Sequence, residues 1–488
     1  MKKEQLSKKN TAKPHRPIRV LQFGEGNFLR AFTDSFIQTL NDSCGYDGNI
    51  VVIKPTPRGN LDQFHMQDCL YTVMLRGIQD GKTVQQTQQI DSIDKIVNPY
   101  SDYDTFLSCG RLDSLQIIIS NTTEAGIVYS ETDRLEDRPA ASYPGKLTQL
   151  LYERFCWCDG NPEKGVTLLP VELIDQNGDA LKSCVLRLAK RWNLPSAFTN
   201  WLNTSCSFCN TLVDRIVSGY PAQEADLLFQ NLGYTDNLLT VAEPFGLWVI
   251  EADEKIRQEI FPFCPSIPIL FTENQKPYKE RKVRILNGAH TSFAMLAWLC
   301  GMDYVREAMH DPEIREYIQR VLFREVIPSL SLPEAELVDF AQAVLERFEN
   351  PFVNHALLSI SLNSVSKWRT RCLPTLVAYV EKFGSLPQCL TFSLAALLKF
   401  YKSTVRESDG KTCTVNDDST ILDFFADHAN ADNASLVSDY FSAVEFHGMN
   451  LCTIPNLQET VTDHLNAMDV MGVRGALASF LKGEVRHE

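Results

Sequence analysis

The residue types most able to do chemistry together are Lys282, Asn287 and His290, inside the stretch 278–290. On an α-helix turning about 100° per residue, with Lys282 at zero, His290 falls near 80° and Asn287 near 140°. An amine, an amide and an imidazole then project from one side of the helix. Three such side chains are also what a wet helix face carries. The flanks argue against that here: Val283, Ile285, Leu286, Ala289, Phe293, Ala294, Leu296 and Trp298 make the segment too apolar for a surface helix. Some of its polar members must therefore be buried and partnered, and titratable groups in that setting often mark sites.

Such a helix needs a scaffold, and the chain ahead of it reads as alternating strands and helices. Residues 18–23 form a short apolar run, broken by Gly24, Glu25, Gly26 and Asn27. A helical pattern follows through Phe28, Ala31, Phe32, Phe36 and Leu40. Residues 49–54, closed by Pro55 and Pro57, and 115–120 are further apolar strands, with weaker candidates at 70–76 and 90–96. This alternation predicts an α/β domain with a parallel sheet covered on both faces. Extended candidates at 165–174, 208–216 and 239–251, spaced by helices such as 180–192, carry the sheet past residue 150. After the proline-rich stretch 261–277 the pattern is helical almost to the end, with runs at 312–326, 333–348, 356–365, 374–383 and 391–401. The expected organisation is a frayed polar tail over 1–17, an α/β domain over 18–276 and a mostly α-helical domain over 277–488.

Gly24 and Gly26, after a strand and before a helix, let the backbone approach a pyrophosphate whose charge the helix N-terminus stabilises. Leu29 stands where a third, helix-packing glycine would fall, and many such turns carry glycine for its backbone freedom alone. No acidic residue for an adenosine ribose closes the second strand. Lys54 and Arg58 stand there instead, either as partners for the 2′-phosphate of NADP or as solvated loop charges, so these residues leave NAD and NADP open.

The 488 residues, 44% hydrophobic and 22% charged, suit two or three folded domains. A net charge of -14 argues against nucleic acid or an anionic membrane as partner. The 14 cysteines are scattered behind a polar N-terminus, which predicts reduced thiols in a cytoplasmic protein. Cys206 with Cys209, and Cys156 with Cys158, lack the second ligand pair a structural zinc needs, and no metal site is expected.

Four motifs in order, residues 23–31, 120–126, 212–217 and Lys282…Asn287…His290, resemble the polyol-specific long-chain dehydrogenases, the mannitol dehydrogenase family. The stretches 208–221, 277–290 and 350–355 are similar to the branch of that family that reduces D-tagaturonate to D-altronate with NADH in hexuronate breakdown. The resemblance implies a Rossmann-type N-terminal domain with an extended sheet, a helical C-terminal domain and a metal-free site in the cleft between them. It implies that Lys282 is the general acid of ketone reduction, that Asn287 polarises the reacting oxygen and that His290 binds a substrate hydroxyl. Phe23, Gly24, Gly26, Asn27, Phe28, Asn121 and Thr122 would hold the cofactor, NAD with NADP left open, together with Lys54 and Arg58.

These roles make chemical sense, because hydride delivery to a ketone builds negative charge on oxygen, which needs a proton donor and an oriented dipole. An unperturbed lysine, with a pKa of about 10.4, is a poor base at neutral pH, so burial or a nearby cation must lower it. Asn177 lies in a segment matching a family motif rich in Asp and Asn; it either lines the site or makes an ordinary Asn-Gly turn, and Leu173 replaces an Asn of that motif. Lys367 matches a family lysine near the substrate, while Ser359 replaces its arginine partner. A sugar acid also needs a cation for its carboxylate. Lys367 leads, followed by Arg369, Arg371 and His355, against the alternative of a solvated helix face. The expected partner is a small sugar acid, with fructuronate, mannonate or a neutral polyol such as mannitol as alternatives, and the protein working as a monomer or homodimer.

Overall fold

The structure is a computed structural model that describes residues 3–122 and 125–483. It divides into one unit made of residues up to Gly77 and Thr83–Gln275, and a second made of Ile78–Lys82 and Lys276 onward.

In the first unit the apolar runs become strands of a six-stranded, wholly parallel sheet. Its members are β1 (Ile18–Phe23), β2 (Asn49–Ile53), β5 (Ile93–Val97), β6 (Ile117–Ser120), β7 (Thr167–Pro170) and β8 (Ser207–Phe208), in the order β5-β2-β1-β6-β7-β8. Alternate residues feed two cores, as the strand period of two requires. Val20, Ile50, Val52, Ile117 and Ile119 join Phe32, Phe36 and Trp248, whereas Leu21, Phe23, Val51, Ile53 and Ile118 join Leu147, Leu151 and Val185. Phe23 is in register with both Ile53 and Ser120, so three neighbouring strands end at one level. Gly24, Lys54 and Asn121 therefore leave the sheet side by side.

The sheet runs past residue 150, but only through β7 and β8. Residues 208–216 split between β8 and β9 (Thr211–Asp214), and residues 239–251 split at Glu243-Pro244 into β11 (Thr240–Ala242) and β12 (Leu247–Glu251). These later strands build two further sheets, β10-β11-β3-β4 and β13-β12-β9, with β3 at Tyr71–Gln79, β4 at Lys82–Ile90, β10 at Val217–Gly219 and β13 at Ile269–Thr272. The β4 strand lacked an apolar signal because its sequence, KTVQQTQQI, is polar and largely exposed.

Two expectations are corrected. Residues 3–17 are not frayed: Leu6 is buried, its N–H donates to the Thr235 carbonyl, the Thr235 N–H donates to Glu4, and Lys13 Nζ donates to the Asp94 carbonyl. A polar stretch is thus held by backbone pairing that composition does not reveal. Nor are all thiols reduced, since Cys44 and Cys264, 220 positions apart in sequence, form a disulfide, and the other twelve cysteines are free. The fold alone brings the end of the Thr33–Cys44 helix to the loop holding Cys264.

The second unit is helical. The helix Ala289–Leu299 packs against Gln388–Lys402, which in turn packs against Leu457–Gly483. The run expected at 356–365 breaks into Leu357–Ile360 and Ser364–Arg371, separated where Asn363 adopts a left-handed conformation, φ 53°. Among the described residues no helix is long and apolar enough to cross a membrane.

Asn177 belongs to the packing of the first unit. It is buried at the start of the Asn177–Arg191 helix, where its Nδ2 donates to the carbonyls of Pro170, Glu172 and Thr211 and its Oδ1 accepts from the N–H groups of Gly178 and Thr211. One amide thereby joins β7, β9 and the helix between them. Replacing it with alanine leaves several buried backbone groups unpaired, and Asn177→Ala should lower unfolding stability by about 3 kcal/mol, read from urea denaturation. A change within error would show that these bonds contribute little.

Candidate functional site

Within the first unit, the glycine turn is bare backbone by construction. Gly24 has φ 127°, and a Cβ there would come within 2.9 Å of the Asn121 carbonyl oxygen and 2.8 Å of Leu29 Cδ1. Leu29, in the place of a third glycine, is itself buried against this turn. Gly26 caps the Asn27–Ala31 helix, and a Cβ built on it meets nothing within 4 Å. That open space beside a helix start, at the carboxyl ends of parallel strands, fits a dinucleotide pyrophosphate.

Around it the expected cofactor residues divide. Phe23 turns its ring into the core against Phe106 and Tyr143, leaving only its backbone near the turn. Phe28 stacks on Phe32, and Asn27 accepts a hydrogen bond from Arg30. The Lys54 side chain is buried, faces Glu25 at 3.7 Å and donates to the Arg58 carbonyl, whereas Arg58 is exposed. Asn121 donates its N–H to the Phe23 carbonyl. Thr122 donates from N (3.0 Å) and Oγ1 (2.9 Å) to Glu172, which also accepts from Ser120 Oγ. Burial pushes the Glu172 carboxyl up from the ordinary glutamate range. Sequence reasoning missed the holding roles of Glu25 and Glu172, because only the fold sets them beside Lys54 and Thr122. Arg215 is likewise structural: it donates to the carbonyls of Ala31, Pro244 and Phe245, and burial lowers its pKa to about 10.

Within the second unit, Lys282, Asn287 and His290 lie on one helical run, but not on regular α-helix. Lys276–Arg281 is α-helical, Lys282–Gly288 is a π-helix and Ala289–Leu299 is α-helical again. The angular reading made for an α-helix is thereby corrected. A π turn bonds i to i+5 and rotates less per residue, so the five-residue step from Lys282 to Asn287 overshoots one full turn by less than it would in an α-helix. Both residues are half-buried. Arg281 is held elsewhere: it pairs with Glu336 and lies over the Phe340 ring.

His290 is buried, and among the described residues its Nε2 has no hydrogen-bond partner. Its ring centroid lies 4.1 Å from that of Phe348 and 5.1 Å from that of His355. Burial, followed by the fields of His355, Arg347 and Arg371, holds its pKa well below that of free imidazole. His355 is also lowered, by burial and then by Lys367. On the Ser364–Arg371 helix, Lys367 Nζ donates to the Ile360 carbonyl and Arg371 Nη1 donates to Thr291 Oγ1. Arg369 points away, toward the Glu445 carbonyl. The structure therefore gathers His290, His355, Lys367 and Arg371, while Asn177 belongs to the packing of the other unit. Among the described residues no three His, Cys, Asp or Glu side chains gather as a metal site.

Residues 18–260 match the model of the mannitol dehydrogenase Rossmann domain, and 274–469 match that of the mannitol dehydrogenase C-terminal domain. The altronate oxidoreductase of Yersinia enterocolitica is 43% identical over 471 residues, 95% of this chain and 97% of its own length. The fold is that of D-sorbitol dehydrogenase (TM-score 0.81, 21% identity, covering 97% of this chain and 100% of that one). It is also that of Pseudomonas fluorescens mannitol 2-dehydrogenase, solved with NAD and D-mannitol (TM-score 0.68, 22% identity, covering 98% and 99%).

Two outcomes follow from this geometry. Because a Cβ on Gly26 meets nothing within 4 Å, Gly26→Ala should leave thermal stability nearly unchanged and weaken NADH binding about tenfold or more in a fluorescence titration, since the side chain obstructs the pyrophosphate. Unaltered affinity would place the cofactor elsewhere. Because His290 stays neutral when folded but accepts a proton near pH 6.5 when unfolded, its contribution is complete above that pH and is lost as the pH falls. Stability should then decline more steeply from about pH 6.5 to 5 in the wild type than in His290→Asn; parallel slopes would refute the depressed pKa.

Proposed function

The chain belongs to the mannitol dehydrogenase family, both of whose domain types it carries in order, and we infer that it reduces D-tagaturonate to D-altronate with NADH. It is an oxidoreductase acting on a CH–OH group, with a nucleotide cofactor. The tagaturonate reading is supported by altronate oxidoreductases 42–43% identical over nearly the full chain. The observation that carries the chemistry is the π turn, which sets Lys282 and Asn287 one turn apart on the helix that also bears His290.

The bound nicotinamide supplies or accepts the hydride. The protein's own groups manage the oxygen. Lys282 gives its ammonium proton to the ketone oxygen as charge develops there, and takes it back when the alcohol is oxidised; no metal is invoked for that step. Asn287 directs its amide N–H at the same oxygen, a dipole already in place when charge appears. Neutral His290 presents an imidazole nitrogen to a substrate hydroxyl, a partner that Nε2 does not find among the described residues. Since Glu25 already faces the Lys54 ammonium, less positive charge is left for a 2′-phosphate, which supports NADH over NADPH.

Lys282→Ala should lower turnover of tagaturonate by about 10³-fold or more, within the range of a lost general acid, while NADH binding followed by fluorescence is retained. Turnover near wild type would remove the mechanism. Fructuronate, mannitol and NADPH assayed in parallel test the substrate and cofactor; a higher kcat/KM on mannitol than on tagaturonate would refute the sugar-acid reading.

A further inference from the structure

We propose that Arg371, with Lys367 one turn before it, is the clamp for the substrate carboxylate and so the determinant of sugar acid over neutral sugar. This rests on the sugar-acid reading above. Both side chains are half-buried cations four residues apart on one short helix, an arrangement in which like charges repel. Burial, together with the field of Arg371, lowers the Lys367 pKa, and burial lowers that of Arg371. Neither has a carboxylate within ion-pair distance among the described residues. Elsewhere in the chain Arg76, Arg281, Arg406 and Arg474 each hold an acid, and the buried Arg154 and Arg215 spend their donors on backbone carbonyls. The acid that Lys367 senses, Asp417, is engaged by the Tyr401 hydroxyl and the Val365 N–H.

The guanidinium is also aimed. Arg371 Nη1 donates to Thr291 Oγ1 at 3.3 Å, and Thr291 follows His290 on the same helix. A Cβ on Gly288 would lie 3.3 Å from the Arg371 carbonyl, so the small residue admits this close approach of the two helices. His290, which feels the field of Arg371, is buried, and among the described residues its Nε2 has no partner. His355, coupled to both His290 and Lys367, links the imidazole to the cations. A hydrogen-bonding nitrogen with no partner among the described residues, near two cations with no ion-paired acid among them, matches a ligand bearing a hydroxyl and a carboxylate. Arginine's planar fork suits a carboxylate as a lysine's point charge does not.

The test measures kcat and KM for tagaturonate and for the neutral ketose D-fructose in wild type, Arg371→Gln and Arg371→Lys, with calorimetric binding of D-altronate to Lys282→Ala and to Lys282→Ala/Arg371→Gln. A lost charge-assisted contact should lower kcat/KM for tagaturonate about 10- to 100-fold, mainly through KM. The loss on fructose should be far smaller, Arg371→Lys should recover part of the effect, and NADH affinity should hold. Altronate binding should weaken in the double variant by a similar factor. An equal fall on both sugars, or no fall on tagaturonate, overturns the clamp. If the wild type turns over no uronate while altronate binding still depends on Arg371, the clamp stands and the assigned reaction falls. If altronate binding is absent or indifferent to Arg371, the clamp falls whatever the turnover shows.

Discussion

A helix that widens by one residue for two turns or less must be held by its surroundings, because π hydrogen bonding is rarely sustained by local preference alone. The turn Lys282–Gly288 lies between two stretches of α-helix and is anchored on both sides. Ahead of it, Arg281 is fastened to Glu336 and Phe340. At its far end Gly288 lies against the Arg371 backbone, and the helix that follows is buried throughout its eleven residues. The widened turn is therefore a product of packing, and the positions of Lys282 and Asn287 relative to His290 depend on it.

Desolvation then decides the electrostatic character of the neighbourhood. Burial keeps His290 and His355 neutral, and the nearby cations push in the same direction. Neutral imidazoles leave the positive charge to Lys367 and Arg371, where it is concentrated rather than spread over four groups. In the first unit acids do the corresponding work. Glu25 faces the buried Lys54, and Glu172 gathers Ser120 and Thr122 at the end of β6. The backbone at Gly24 and Gly26 is left uncovered between them.

The apolar runs of β1, β2 and β6 were legible in the sequence because a parallel strand buried on both faces is apolar at every position, a pattern that needs no partner to recognise. The change to helical spacing after the proline-rich stretch was legible because it too is a pattern among neighbouring residues, whereas nothing in the sequence set Ile78–Lys82 with the second unit. The strand β4 and the ordered residues 3–17 were not, since both are polar segments held by backbone hydrogen bonds rather than by side-chain burial.

The types and order of the chemical groups, Lys282, Asn287 and His290 on one helical run and glycines between a strand and a helix, were determined by the sequence alone, as was the net negative charge. Tertiary structure decided what each group faces. It turned the α spacing into a π turn, assigned Asn177 to five backbone groups, paired Cys44 with Cys264 and set the Arg371 guanidinium on Thr291. The reason is that periodicity and composition are properties of neighbouring residues. Hydrogen-bond partners, burial and the fields that shift a pKa come from residues tens or hundreds of positions away, and only folding brings them within reach.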